Sequence, residues 1–559
     1  MLNMRLWTAF VGCWLAGLTA LADARQPLSD SPFRPPVDYE VSLAGNFGEP
    51  RPHHFHGGLD IRTGGVEGKH IYAIADGYVS RITVGLDGFG NAIYITHPTG
   101  HTSIYAHLKS FSPRIKAALR KYQYQHQTSV PDARLTPLDV PVSQGQFIAL
   151  SGNTGHSTAP HLHLEVRDTR TWNMLDPYQF LNDFIQDTIP PQAHGFMAIP
   201  QGGTFNGADT KQTFAPGNVQ TAWGRVGFAL WADDYMQGSS NYYGIRETLL
   251  YVDGQVVFHS VVDNIPTKLN RMVNSWGDYD HWLRHRTWYM KSFIDPGNTL
   301  SCLQADENRG IVVFDEERPY QLEYVLRDFK GNESRYPFTV QGRQTTQDSF
   351  RTRPTLRWNR TNSYSQPGMH LIVPYGFLAT DVVLHPEVSQ QPGAWSDAYQ
   401  FARSSLPLMF DAELSICLRR NSTANVIDSF DPSKLYITNR QGRYFGGTFE
   451  NGWVTGHIRD LAGCYEIGYD DEPPTVTPLS STTDTRLVLN VTDRQSGIAS
   501  WTATVDDRFI VFDAIEKTTS YVCDLRETWL RRTGETHRLR FEATDNRQNT
   551  CVYEATFVY

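Results

Sequence analysis

Four short segments between residues 56 and 166 hold side chains that could act together. They are His56-Gly57-Gly58-Leu59-Asp60, Tyr105-Ala106-His107, Gly152-Asn153-Thr154-Gly155 and His161-Leu162-His163-Leu164-Glu165-Val166. The last alternates polar and apolar residues. Side chains of a strand alternate between its two faces, so His161, His163, Glu165 and Arg167 share one face while Leu162, Leu164 and Val166 take the other. Two imidazoles then point into one space. Alone, that pattern fits two solvated histidines as well as a metal site. His56 and Asp60 tip the balance, because imidazole and carboxylate are both natural zinc ligands, and the glycines between them let the chain approach an ion closely. His56, Asp60 and one histidine of the later strand make three protein ligands, leaving a fourth position for water, as a hydrolytic zinc site requires. By spacing, His53 or His54 competes with His56 for that place. His107, alone on its strand face with Ser103 and Tyr105, reads as a partly buried histidine with a satisfied hydrogen bond.

Taken together, the segments resemble the M23 family of zinc peptidases, which contains lysostaphin-type and LytM-type cell-wall endopeptidases. The resemblance rests on H-x-x-x-D at His56–Asp60, Y-x-H-L at Tyr105–Leu108 and H-x-H at His161–His163, in that order, with glycine turns at Gly88-Phe89-Gly90-Asn91 and Gly152–Gly155. It covers about 53–185, a quarter of the chain. It implies that His56, Asp60 and His163 bind one Zn2+, and that His107 and His161 stand beside the open coordination position. No H-E-x-x-H glutamate is present to act as base, and a neutral histidine can do that work near pH 7. His161 is the favoured base or proton shuttle. His107 is assigned to the oxyanion and the leaving amine, with the two roles exchangeable. Glu165 orients a ligand from behind, pairs with a nearby base or lies at the groove edge.

The elements that must position these residues are strands. The predicted fold is mostly β: an antiparallel-sheet peptidase domain with a helical insertion, followed by β-sandwich-like modules. Ile71–Ala75 and Tyr78–Val84 flank the turn Asp76-Gly77, and Asn91–His97 and Thr102–His107 flank Pro98-Thr99-Gly100. Residues 109–145 depart from the family in length. Ser112 to about Gln127 opens with Ser-Pro and has helical apolar spacing, so a helix is predicted there, its basic face solvated. The insertion is expected either to wall the groove or to cover it. The domains are placed at 25–52 (extended lead-in), 53–189 (peptidase), 190–341 (sandwich-like), 342–472 (β-rich, fold unassigned) and 473–559 (immunoglobulin-like sandwich). The linkers are Pro190-Pro191 and Asp471-Glu472-Pro473-Pro474. The turns at Gly331-Asn332 and Asp545-Asn546 close similar hairpins.

Arg5, the apolar run Leu6–Leu21 and the small residues Ala20-Leu21-Ala22 read as a signal peptide over 1–24. No later stretch is apolar enough to span a bilayer, so export to the bacterial periplasm or cell envelope is expected, without a transmembrane anchor after cleavage. Of the cysteines beyond Cys13, proximity pairs Cys417 with Cys464 and Cys523 with Cys551, leaving Cys302 free; spacing alone does not fix a pairing. Net charge is −9 over 559 residues, with no basic tail, which weighs against nucleic acid as a partner. The resemblance points to a peptidoglycan peptide substrate, and the β-rich modules could dock envelope proteins. Two other readings stand beside it: an exported peptidase acting on proteins or peptides, and a non-catalytic regulator of wall hydrolases. Trp282 and Trp288 are expected in a core rather than on a glycan platform.

Overall fold

The computed structural model describes residues 33–85, 88–130, 132–345, 355–419, 430–479, 485–515 and 517–559. The signal segment and Cys13 lie outside them. Apolar side chains gather into four main cores that follow one another along the chain.

The first core is framed by β1 (Leu43–Gly45), β2 (Leu59–Arg62), β3 (His70–Tyr72), β4 (Gly77–Thr83), β5 (Ala92–Thr96), β6 (His101–Ala106), β7 (Leu108–Phe111), α1 (Pro113–His126), β8 (Phe147–Ser151) and β9 (His161–Asp168). The larger sheet runs β1-β2-β9-β6-β5-β4, the smaller β3-β8-β7, and all these pairings are antiparallel. Leu162, Leu164 and Val166 of β9 are fully buried in this core, so the alternation read from the sequence sets the face. The lead-in contributes Phe33, Val37, Val41 and Leu43 to the same core.

Two expectations about local structure are corrected. The strands flanking Asp76-Gly77 do not pair: β3 joins β8, whereas β4 joins β5. Gly77 lies so close to the neighbouring strand that a Cβ there would sit 2.4 Å from the carbonyl of Thr96. The basic face of α1 is also not simply solvated. Ile115 and Leu119 pack into the core, while Arg120 donates to Asp513 and Glu527 and Lys116 pairs with Glu527. The insertion is thus clasped to the last module, where a local reading saw only lysine and arginine on a helix.

In the second module β10 (Gln220–Asp233) pairs with strand Gln192–Pro200, and β11 (Pro319–Arg327) forms a hairpin with β12 (Glu333–Gly342). The third holds a five-stranded and a four-stranded sheet. The last places β13 (Arg486–Thr492) in one four-stranded sheet and the hairpin β14 (Thr536–Asp545)–β15 (Thr550–Val558) in another. All five cysteines beyond Cys13 are free thiols, which overturns both pairings suggested by proximity. Cys523 lies opposite Leu487 of one sheet and Cys551 opposite Ala543 of the other. No helix among the described residues is long and apolar enough to cross a membrane.

Candidate metal centre

Sheet register brings the metal-ligating atoms together. In the β2–β9 pair, Asp60 lies directly opposite His163. His56 precedes β2 by a short glycine loop, and that loop must run against β9: a Cβ on Gly58 would stand 2.2 Å from the carbonyl of Leu164. His56 Nε2 is 2.9 Å from Asp60 Oδ1, His163 Nδ1 is 2.9 Å from the same oxygen, and the two nitrogens are 3.0 Å apart. Separations near 3 Å suit donors that share one ion at about 2.0–2.2 Å each. All three side chains are buried. The trio matches the geometry expected of a single catalytic zinc. His53 and His54 do not join it: His53 contacts Asn274 and Tyr279, and His54 is exposed.

The atoms behind the ligands orient them. His56 Nδ1 donates to the carbonyl of Asn46 at 2.6 Å, which turns Nε2 toward the centre. Asn46 is itself held through its side chain by the backbone of Gly244 in the second module. His163 Nε2 donates to Glu165 Oε1 at 3.1 Å, freeing Nδ1. Glu165 in turn accepts from Arg167 at 2.7 Å, so it both orients a ligand and pairs with a base. Arg51 donates to the second oxygen of Asp60 at 2.8 Å. Phe89 stacks on His163 with ring centroids 5.6 Å apart.

Electrostatics follows from this packing. Burial is the main cause lowering His56 to about 4, although Asp60 pulls the other way. Despite burial, His163 is raised to about 9 by its hydrogen bonds to Asp60 and Glu165. Asp60 is held well below the usual carboxylate range: burial opposes this, but His56, His161 and His163 together outweigh it. The site therefore favours positive charge between its carboxylates.

His107 and His161 stand beside the trio. Their rings are 4.9 Å apart, and that of His107 is 5.7 Å from that of His163. His161 Nε2 lies 3.3 Å from Asp60 Oδ1. His161 Nδ1 donates to the carbonyl of Ala159 at 2.8 Å, and His107 Nδ1 to that of Thr154 at 2.6 Å. Each neutral ring thus keeps its proton on Nδ1 and has a lone pair on Nε2. His107 is in the left-handed region at φ 58°, a conformation uncommon for residues other than glycine and enriched at functional sites. Burial, with His163 and His161 nearby, lowers its pKa to about 3.

The structure brings together the five residues singled out from sequence, and it shows what holds them, the carbonyls of Asn46, Thr154 and Ala159, a role that sequence reasoning missed because a backbone carbonyl leaves no mark of residue type. Sequence reasoning also missed Lys517 of the last module, whose ammonium donates to the carbonyls of Asn153 at 2.9 Å and Ser157 at 2.5 Å. Trp282 and Trp288 are half-buried and stack on each other at 5.4 Å. With Trp231, Glu49 and Arg51 they line a cavity of about 540 Å3, a setting that the core expectation did not foresee.

A family model described as Peptidase family M23 matches residues 54–124, and one described as Zu5-like domain matches residues 353–470, the stretch left unassigned from sequence. An uncharacterized metalloprotease of Haemophilus influenzae is 33% identical over 141 residues, which are 25% of this chain and 23% of that protein. A DD-carboxypeptidase/endopeptidase Mpg of Neisseria meningitidis serogroup B is 33% identical over 112 residues, 20% of each chain. The chain therefore spans less than a quarter of the length of these curated relatives. Among solved structures, the catalytic domain of the antimicrobial peptidase lysostaphin from Staphylococcus simulans aligns at 24% identity and a TM-score of 0.20, covering 25% of this chain and 92% of that one.

Proposed function

We infer that this chain, whose first domain is an M23-family zinc metallopeptidase domain, is a zinc-dependent endopeptidase that hydrolyses peptide bonds in peptidoglycan stem peptides or cross-links outside the cytoplasm. The observation that carries the reading is the meeting of His56 Nε2, Asp60 Oδ1 and His163 Nδ1 within 3.0 Å, with two further histidine rings alongside. The donor set fits zinc, and each histidine ligand has its other nitrogen engaged.

Bound zinc would supply Lewis acidity toward a carbonyl oxygen and lower the pKa of water toward neutrality. His56, Asp60 and His163 would hold it. His161 accepts a proton at Nε2, with its ring fixed by the carbonyl of Ala159. His107 acts after it: its free Nε2 takes over the proton that His161 has removed from the water, turns it toward the substrate oxygen and delivers it to the departing amine, and its burial makes it release that proton readily. The glycine turn at Thr154 keeps it in place. The name of the Neisseria relative makes D,D-bonds the first candidates, with glycyl bonds the alternative.

The test digests purified sacculi with zinc-loaded protein and identifies released stem peptides and cross-links by mass spectrometry, with a chelated control and an unfolded protein as competing substrate. New muropeptides that vanish with the chelator support the reading. Cleavage of the unfolded protein alone would replace it with a general peptidase, and no cleavage of either by zinc-loaded protein would remove the enzymatic reading.

A further inference from the structure

Away from the zinc site, three carboxylates meet with little to neutralise them. Asp187 lies just before the Pro190-Pro191 linker, Asp234 directly after β10, and Asp328 directly after β11 at the turn into β12. One oxygen of each lies within 4.8 Å of the other two. All three residues are buried, Asp234 to 3% exposure. With Asp176 they line a cavity of about 10 Å3, room for one water or one small ion.

Hydrogen bonds account for some of the oxygens but not all. Asp187 Oδ1 accepts from the amide of Ile189 at 3.0 Å. Asp328 accepts from the amide of Asn332 at 2.9 Å and from its side chain at 2.6 Å. Asp234 Oδ1 is buried and has no partner among the described residues. Two cationic side chains line the cavity: Lys330 donates to the carbonyl of Asn182 at 2.6 Å, and Arg246, whose buried Nε has no partner among the described residues, lies 3.7 Å from Asp263 and over the ring of Phe329. Leaving several buried carboxylates ionised and unpaired is strongly destabilising. The site needs protons or a cation.

We propose that Asp187, Asp234 and Asp328 bind a calcium-class divalent cation that ties the end of the peptidase domain to the module that follows. The donors are all oxygen, with no imidazole or thiolate in the trio, which suits a hard cation rather than zinc. Magnesium usually keeps several waters in strict octahedral geometry, and a buried cavity of this size has little room for them.

A second trio occupies corresponding places in the last module and gives a useful contrast. Asp470 precedes Pro473-Pro474, Asp493 follows β13, and Asp545 ends β14 at the turn before β15. There backbone amides take the oxygens: Glu472 and Ser496 donate to Asp470, Gln495 and Gly497 to Asp493, and Asn549 to Asp545. No buried carboxylate oxygen of that trio is without a partner among the described residues. In the first trio, by contrast, Asp234 Oδ1 remains over.

The experiment uses full-length, zinc-loaded protein equilibrated with calcium chloride, with magnesium chloride in parallel. Elemental analysis reads calcium and zinc per chain, and thermal unfolding reads the shift on adding calcium. Asp234→Asn should lower bound calcium by one ion per chain, leave zinc unchanged and shrink the calcium-induced rise in Tm. Asp187→Asn should do the same and serves if the first variant folds poorly. In calcium-free buffer Asp234→Asn should unfold at no lower temperature than the wild type, because the carboxyl whose ionisation opposes folding has gone. A wild type that binds no calcium, or variants that keep its full calcium content, would overturn the assignment.

Discussion

Asp60 and His163 are direct cross-strand partners, 103 residues apart in the chain and 2.9 Å apart between Oδ1 and Nδ1. The backbone ladder of β2 and β9 therefore holds two of the three metal ligands. His163→Ala should leave the fold in place and empty the site, with zinc by elemental analysis falling from one per chain toward none. Zinc retained at full occupancy would mean that another residue serves as ligand.

His161→Ala separates binding from turnover. Its ring stands next to the trio, yet its Nδ1 is anchored to the carbonyl of Ala159 rather than to another ligand. Zinc should stay, and release of stem peptides from sacculi should drop by about 10²–10⁴-fold, the range for loss of a general base. His107→Ala should also keep zinc and lower the rate by about 10²–10³-fold, as for loss of an oxyanion donor. Near-normal rates in both variants would remove the proton-transfer roles.

Glu165→Gln tests the support behind His163. Glutamine keeps the shape but loses the charge that pairs with Arg167 and fixes the histidine tautomer. Zinc affinity should weaken by about 10–100-fold, read by competition with a chromogenic chelator. Unchanged affinity would reduce Glu165 to a packing role.

Lys517→Ala probes the contact between the last module and the turn that carries Thr154. The ammonium holds two carbonyls of that turn, and Thr154 holds His107. If the contact positions His107, turnover should fall by roughly 10-fold with zinc content unchanged; a misplacement of 1 Å can cost up to about 100-fold. A rise in turnover would mean instead that the last module restrains the site.

The acidic cavity predicts a pH dependence in calcium-free protein. Burial, with Asp187 and Asp328 nearby, pushes Asp234 up to about 8 from an ordinary 3.8; burial also takes Asp187 to about 6 and Asp176 to about 7. Tyr178, Arg246 and Lys330 are the other titratable groups facing the cavity. The folded state binds these protons more tightly than the unfolded chain, so stability falls as pH rises. The loss begins near pH 4 and is complete above about pH 8. Thermal unfolding between pH 5 and 8 should show the decline, and calcium should flatten it. A calcium-independent profile would separate the protons from any cation.

Much of the site was legible because its signals are local. The alternation from His161 to Arg167 needs only the two-residue period of a strand, and it placed three apolar side chains in the core. The Ser-Pro start and apolar spacing of Ser112–Gln127 likewise set α1. The Asp76-Gly77 turn misled because a turn signal says that the chain bends, not which strand the next segment will join. The basic residues of α1 were misread because Asp513 and Glu527 arrive from some four hundred residues away.

The sequence by itself determined which residue types could hold zinc, which faces of their strands they occupy and that the chain is built mostly of strands. These follow from side-chain chemistry and backbone geometry over a few neighbouring residues. Only the tertiary structure decided that Asp60 would face His163, that Asn46 and Thr154 would fix the rings, and that Asp187, Asp234 and Asp328 would share one cavity. Those meetings depend on strand register and on the packing of separate cores, where one residue of slip moves a side chain to the opposite face.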